Sequence, residues 1–146
     1  MIAVDTNILV ALHRTEYAHH QAAFKAVTAL AEGAGRWAIP WPCIHEFIAV
    51  VTNNRIFVHP TEPETALAVI DALIASPTLS LIGESPGYWE DLRRVVLDGR
   101  IVGARVHDAR IAAICLQHRI TCLWTADRNF SRFPTLKCRN PLAEVG

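Results

Sequence analysis

Two acidic residues of this chain follow predicted strands directly, where an isolated carboxylate is costly. Asp5 comes immediately after residues 2 to 4, whose apolar character predicts a short buried strand. Asp127 comes just past residues 121 to 125, a second predicted strand with β-branched and aromatic content. An ionised carboxylate left alone in such a place carries a large desolvation penalty. A nearby positive charge would offset that cost.

Two further acids lie in the first turns of predicted helices. Asp108 stands at the head of an apolar face that continues at Ile111, Ala112 and Cys115, a spacing that points its side chain inward. Glu46 borders the apolar stripe of a helix predicted to begin near residue 42. Taken singly, each of the four acids has an ordinary explanation as a helix cap, a first-turn acid or a turn residue.

These ordinary explanations do not account for the shared placement of the four acids. Strand C-termini and helix N-termini meet at one edge of a parallel α/β layer, where sites collect. Carboxylates that converge there repel one another unless a cation neutralises them. Oxygen ligands select a hard ion such as Mg²⁺ or Mn²⁺, which takes further ligands from phosphate. The four acids therefore indicate metal-assisted hydrolysis of a phosphodiester.

The elements that must position the acids alternate along the chain. Strands are predicted at 2 to 4, 37 to 40, 79 to 83, 121 to 125 and 135 to 139. Helices are predicted at 7 to 14, 18 to 32, 42 to 53, 64 to 76, 88 to 98 and 107 to 118. This alternation predicts a three-layer α/β/α sandwich with a mainly parallel sheet of about five strands. Thr61 and Glu64 predict a capping box, and Gly99 predicts a helix end.

Length and composition predict one domain, residues 1 to 146, in a cytoplasmic protein. No apolar run approaches the ~18 residues of a membrane span, and no basic segment precedes the first apolar residues. The four cysteines lack metal-ligand spacing, so we expect free buried thiols. A thiol enzyme built on Cys115 and His118 is the less favoured alternative.

The net charge is zero, but the charges are unevenly distributed. Residues 1 to 92 contain ten acidic and four basic residues, whereas residues 93 to 146 contain four acidic and ten basic residues. The basic half predicts an anionic partner, since arginine suits phosphate. A solvated face, or pairing with the acidic half, explains the asymmetry equally well. The arginines that could contact RNA are Arg93, Arg94, Arg105, Arg110 and Arg128.

Four segments, taken in order, resemble the PIN-domain ribonucleases and more narrowly the VapC toxins of bacterial toxin-antitoxin pairs. They are VDTN at the start, PCIHEF, HDARIAAICLQH and LWTADRNFSRF. The resemblance runs from residue 1 to about residue 140. It implies a PIN-like fold and a metal-dependent endoribonuclease toxin that hydrolyses RNA and is neutralised by a cognate antitoxin. It also implies a homodimer.

The resemblance assigns roles to individual residues. The catalytic, metal-binding acids that it implies are Asp5, Glu46, Asp108 and Asp127, with Mg²⁺ or Mn²⁺ as the ion. It implies supporting roles for Thr6 and Thr125. Many members carry another acid two residues after the last one, where this chain has Asn129. An amide oxygen can still coordinate a cation but brings no charge, so a second ion would be held more weakly.

Other function classes fit the sequence less well. A zinc-protease motif beginning at His45 would need histidine where Ala49 stands, and no glycine-rich nucleotide-binding loop is present. A dehalogenase-type phosphatase would need an acid in place of Asn7, and a receiver domain would leave Asp108 and Asp127 unexplained. The open alternative is a non-catalytic RNA- or protein-binding module on the same scaffold. Such a binder gains nothing from carboxylates beside phosphate.

Overall fold

The computed structural model describes residues 1 to 143 and contains five strands and six α-helices in that range. The strands are β1 Ile2–Val4, β2 Trp37–Pro40, β3 Leu79–Ile82, β4 Cys122–Trp124 and β5 Cys138–Arg139. The helices are α1 Thr6–His13, α2 His20–Glu32, α3 Trp41–Val51, α4 Pro63–Ile74, α5 Tyr88–Gly99 and α6 Val106–Gln117. Short 3₁₀ segments span Gly103–Arg105 and Arg128–Arg132.

The five strands form one parallel sheet in the order β3-β2-β1-β4-β5, which confirms the predicted fold class. The central strand β1 pairs with β2 on one side and with β4 on the other, with Ile2 opposite both Trp37 and Cys122. The chain therefore changes its direction of winding at β1, and such a switch point opens a crevice at the strands' carboxyl ends. None of the described helices is long and apolar enough to cross a membrane.

Apolar side chains from both faces of the sheet fill the core. All four residues of β2 are buried, as expected for a parallel strand covered on both faces. The largest fully buried side chains are Trp37, Phe47, Phe130 and Ile8, and each contributes roughly 1.5 to 3 kcal/mol by leaving water. This packing fixes α1, α3 and α6, of which α3 carries Glu46 and α6 carries Asp108, while Asp5 is the N-cap residue of α1.

The predicted capping box at the start of α4 is wrong. Glu62 is the N-cap residue there, and no side chain donates or accepts a capping hydrogen bond. The Thr61 hydroxyl instead accepts a hydrogen bond from Arg14 Nη1 at 3.1 Å and lies 2.9 Å from Nε2 of His13. These contacts with the end of α1 have replaced the local cap, which no sequence pattern indicates.

Gly99 is the last residue of α5 for a reason other than the predicted one. The left-handed residue at this helix end is Arg100, with φ of 51°. A Cβ on Gly99 would lie 3.0 Å from the carbonyl oxygen of Arg132 and 3.1 Å from Cδ1 of Ile101. Glycine is therefore needed here for close packing.

The prediction of buried free thiols is right for two of the four cysteines. All four are free, with Cys43 and Cys115 buried, Cys122 half-buried and Cys138 exposed. Burial raises the pKa of the Cys43 and Cys115 thiols far above the ordinary range. Neither buried thiol is therefore available as a nucleophile.

Candidate active site

The four acids line a single cavity of about 240 Å³ at the carboxyl edge of the sheet. Asp5 follows β1 directly, and Asp127 lies three residues beyond the neighbouring strand β4. The predicted first-turn position of Glu46 is wrong: the helix already begins at Trp41, so Glu46 projects from the middle of α3. Asp108 lies in the first turn of α6, as predicted. The remaining lining residues are Thr6, Asn7, Val10, Tyr17 and Val50.

Asp5 is almost fully enclosed, with 4% of its surface exposed. Its Oδ1 accepts a hydrogen bond from the Thr6 backbone N–H at 2.8 Å and faces the Cys43 thiol at 3.5 Å. Its Oδ2 accepts one from the Thr125 hydroxyl at 2.7 Å and one from Asn7 Nδ2 at 3.2 Å. Burial raises the pKa of Asp5, and the bonds from Thr125 and Thr6 work against that rise.

A small hydrogen-bond network joins the start of α1 to the turn after β4. The Thr125 hydroxyl accepts bonds from Asn7 Nδ2 at 3.1 Å and from the Asp127 backbone N–H at 3.0 Å. Asn7 Oδ1 accepts one from the backbone N–H of Ala126 at 2.9 Å. Asp127 Oδ1 in turn accepts the backbone N–H of Asn129 at 2.8 Å, as the cap of the following 3₁₀ segment. This network orients Asp127 relative to Asp5.

Glu46 is tied to the same network through Thr6. The Thr6 hydroxyl donates to Glu46 Oε2 at 3.1 Å. Although the glutamate side chain as a whole is exposed, partial burial of its carboxylate raises its pKa, and the negative charges of Asp5 and Asp127 raise it further. The nearby His107 opposes that rise.

Asp108 is half-buried and lines the cavity from the first turn of α6. Burial raises its pKa first, followed by the charges of Asp127 and Glu46, whereas Arg105 and His107 lower it. Three of the four carboxyl groups thus have a raised pKa, in part because they face one another. This is the electrostatic pattern of a site that favours a cation.

Within residues 1 to 143, no acid of the cavity forms an ion pair with arginine or lysine. The described ion pairs join Arg14 to Glu16, Arg94 to Asp91 and Arg110 to Glu84. The four acids are therefore not neutralised by described basic side chains.

The five arginines predicted for RNA contact lie at different distances from the acids. Arg110 shares a neighbouring cleft of about 450 Å³ with Glu46 and Asp108, and Arg128 lines another of about 680 Å³ that includes Asp127. Arg105 is close enough to Asp108 to lower its pKa.

The other two predicted arginines lie on α5. Arg94 pairs with Asp91 at 3.2 Å and lines a cavity that contains none of the four acids. Arg93 is exposed and does not line the acid cavity. Their position gives no support to a direct role at the acids.

The side chains that line the cavity determine which ion it could hold. In the described part of the chain, no group of three or more His, Cys, Asp or Glu side chains forms a ready-made metal site. Mg²⁺ keeps several waters and binds proteins through only one or two carboxylates, so it does not need a closed cage. The polar donors that line the cavity are oxygens and an amide, without histidine or cysteine. They fit a hydrated Mg²⁺ or Mn²⁺ and do not fit zinc.

Sequence reasoning missed two features of this site. Asn7 bridges Asp5, Thr125 and Ala126, and its position two residues after Asp5 was the available signal. Tyr17 lines the acid cavity from the loop between α1 and α2. No local pattern marks that tyrosine, since the path of the loop places it there.

Comparison with known proteins places this arrangement in a family. Residues 2 to 136 match the PIN domain. Ribonuclease VapC43 of Mycobacterium tuberculosis is 35% identical over 142 residues, which cover 97% of this chain and 96% of that protein. Ribonuclease VapC48 of the same organism is 31% identical over 140 residues, covering 95% of this chain and 96% of that protein.

Solved structures share the fold. VapBC2 from Rickettsia felis, bound to a DNA fragment from the promoter, has a TM-score of 0.67 at 23% identity, covering 96% of this chain and 98% of that chain. Mycobacterium tuberculosis VapC20, described as a sarcin-ricin loop cleaving toxin, has a TM-score of 0.65 at 20% identity, covering 90% and 93%. At these identities the likeness concerns the fold alone.

Proposed function

Because the chain belongs to the PIN-domain family, we propose that it is a metal-dependent endoribonuclease and the toxin of a toxin-antitoxin pair. Its relatives named VapC ribonucleases match it over nearly their whole length, which supports an RNA-cleaving hydrolase. The observation that carries the proposal is that Asp5, Glu46, Asp108 and Asp127 line one cavity.

The substrate bond in this proposal is an RNA phosphodiester. A cavity of carboxylates repels a phosphate group unless a divalent cation lies between them. A protein that only bound RNA would do so better without these acids, so their shared cavity supports catalysis over simple binding. The arginines beside the cavity, Arg110 and Arg128, would position the RNA backbone.

In this proposal the four acids share the binding of the metal. Asp5, Asp108 and Glu46 would hold the main Mg²⁺ or Mn²⁺ ion, and Asp127 would assist or hold a second one. When bound, the ion would act as a Lewis acid toward the phosphate and lower the pKa of the water that it binds. The Thr125 hydroxyl and the Thr6 backbone N–H donate to the oxygens of Asp5, which favours its ionised form. The Thr6 hydroxyl donates to Glu46 Oε2 and would hold that carboxylate in a fixed orientation toward the ion.

The partners in this proposal are a cognate antitoxin protein and a second copy of the chain. Solved relatives described as VapBC, from Rickettsia felis and Salmonella typhimurium, support an antitoxin. Exposed apolar side chains on the described surface provide area for protein contacts; they include Phe24, Ile56, Val58 and Leu67. The homodimer and the cytoplasmic location stay predictions.

The direct test is cleavage of purified RNA with Mg²⁺ or Mn²⁺, with EDTA, and with Asp5→Asn and Asp108→Asn proteins. Asp71→Asn, which changes an exposed acid of α4, is the matched control. We expect cleavage by the parent and the control alone, and only with the divalent ion. Sequencing RNA ends after brief induction in cells then identifies the target. RNA binding without cleavage in every protein would leave the binding module as the function.

A further inference from the structure

Three residues that line the cavity of the acids have no part in the proposed hydrolysis. They are Val10, Val50 and Tyr17, and they line it together with the four carboxylates. Val10 is buried and Val50 half-buried, whereas Tyr17 keeps 39% of its surface exposed. An exposed aromatic ring therefore stands in the same small cavity as four negative side chains.

The tyrosine is held in place by its own turn and by a second ring. The Tyr17 backbone N–H donates to the carbonyl of Arg14 at 3.1 Å, and its carbonyl accepts from the N–H of His20 at 3.0 Å. Its ring packs against Phe57, with centroids 6.0 Å apart and an interplanar angle of 34°. These contacts restrict the ring before any ligand arrives.

Phe57 is in turn held by the Arg14 guanidinium, which makes several hydrogen bonds of its own. The Arg14 guanidinium carbon lies 4.1 Å from the Phe57 ring centroid. That guanidinium donates to Glu16 at 2.6 Å, to the Thr61 hydroxyl at 3.1 Å and to the carbonyl of His59 at 2.9 Å. The stack of Arg14, Phe57 and the tyrosine is thus anchored to the loop that precedes α4.

We propose that Tyr17 is a stacking platform for an unpaired nucleobase next to the scissile phosphate. This inference rests on the proposed function, because it requires an RNA phosphate at the acids. In RNA each base is tethered to its phosphate through one sugar, so a phosphate at the carboxylates brings a base into the same cavity. Exposed, rigid aromatic rings are the surfaces on which single-stranded bases stack.

The stacking platform distinguishes single-stranded from double-stranded RNA more than it distinguishes one base from another. The neutral hydrogen-bonding side chains that share the cavity with it, Thr6 and Asn7, already bond to the acids or to the backbone. They leave little capacity to read the edge of a base, and stacking tolerates every base because each has a π-face. A base within a duplex cannot reach the ring without unpairing. Tyr17 therefore favours loops and single strands as substrates.

The test is steady-state cleavage of a single-stranded RNA that the parent cleaves, labelled with 2-aminopurine. Tyr17→Phe keeps the ring and should keep the parent's KM. Tyr17→Leu fills the space without an aromatic face, and we expect about a tenfold rise in KM with little change in kcat. The parent should quench 2-aminopurine fluorescence on binding, and the leucine variant should not. Trp89→Ala, an exposed aromatic on α5 outside the cavity, should behave like the parent.

The outcomes separate this inference from the proposed function. If the parent cleaves no RNA, the proposed function fails. If the parent cleaves and Tyr17→Leu has the parent's KM and quenching, the platform is overturned. A leucine variant with unchanged RNA kinetics but weaker antitoxin binding would show that a protein covers this ring, which also overturns it. Thermal unfolding of each variant verifies that it is folded.

Discussion

Thr125 donates its hydroxyl to Oδ2 of Asp5 across 2.7 Å, although the two residues stand 120 positions apart in the chain. With Thr6 they are the polar residues that lie buried within the described structure. Because a buried carboxylate is stable only when its oxygens are satisfied, the three residues form one unit that holds Asp5 at the cavity. The hydroxyl is therefore part of the electrostatics of the site.

Removing this hydroxyl should affect stability and activity together. Thr125→Val leaves Asp5 without its shortest hydrogen bond, and we expect the free energy of unfolding to fall by about 1.5 to 3 kcal/mol. The lost bond had lowered the pKa of Asp5, so the acid limb of the pH profile for RNA cleavage should move to higher pH. Denaturant unfolding and cleavage rates across pH measure both effects. Thr125→Ser should restore them, and equal behaviour of valine and serine would refute this role.

Divalent ions should stabilise the folded protein independently of any cleavage. At a Mg²⁺ concentration of 100 Kd, linkage predicts a gain of about 2.7 kcal/mol in the free energy of unfolding. Asp5→Asn and Asp108→Asn should lose most of this gain, and Asp71→Asn should keep it. Thermal unfolding with Mg²⁺ and with EDTA provides the measurement. A gain that survives in both cavity variants would place the ion elsewhere.

The metal-free protein should become more stable as the pH falls from neutral toward the ordinary carboxyl range. The folded pKa values of Asp5, Glu46 and Asp108 are raised, so the folded state binds protons more tightly than the unfolded state. The associated destabilisation is complete above the raised pKa values and disappears as pH falls below the ordinary ones.

Comparison with Asp5→Asn isolates the contribution of that carboxyl group. The lowered pKa values of His13, Glu16 and Glu84 act in the opposite sense, but these groups are present in both proteins and cancel in their difference. In EDTA, the free energy of unfolding of the parent should increase relative to that of Asp5→Asn as the pH is lowered. A difference that is constant with pH would contradict a raised pKa for Asp5.

The ion pair between Arg110 and Glu84 should restrain RNA binding. Arg110 Nε lies 2.6 Å from Glu84 Oε1, and both side chains are partly exposed, so the pair contributes at most about 1 kcal/mol to stability. Glu84→Gln should free the guanidinium beside Glu46 and Asp108, lowering KM for RNA and steepening its salt dependence. Arg110→Gln should do the reverse. If KM for RNA depended on salt concentration equally in the two variants, Arg110 would not contact the RNA.

Thiol reagents should leave RNA cleavage unchanged. Burial keeps Cys43 and Cys115 protonated and inaccessible, and Cys122 lines neither the acid cavity nor the cleft of Arg128. The exposed Cys138 does line that cleft, so the protein used in this test carries Cys138→Ser. Alkylation of the folded protein with iodoacetamide, followed by a cleavage assay, makes the measurement. Inactivation would revive the thiol enzyme that the sequence left as an alternative.

Local patterns predicted most of the fold. The prediction of β2 at residues 37 to 40 matches the observed strand, and the alternation of strands and helices predicted the parallel sheet. The capping box at Thr61 failed because His13 and Arg14, 48 and 47 positions away, offered that hydroxyl better partners. A local capping preference is overridden where a distant side chain supplies a competing hydrogen bond.

The amino-acid sequence by itself determined the order of strands and helices, and it placed Asp5 and Asp127 at strand ends and Asp108 at a helix start, because periodicity and capping act over a few residues. Only the tertiary structure decided that Thr125 bonds to Asp5, that Arg110 is held by Glu84, and that Tyr17 reaches the cavity. The physical reason is that such pairings depend on sheet order and on the paths of loops. Both are set by packing of the whole chain, which no short stretch of residues encodes.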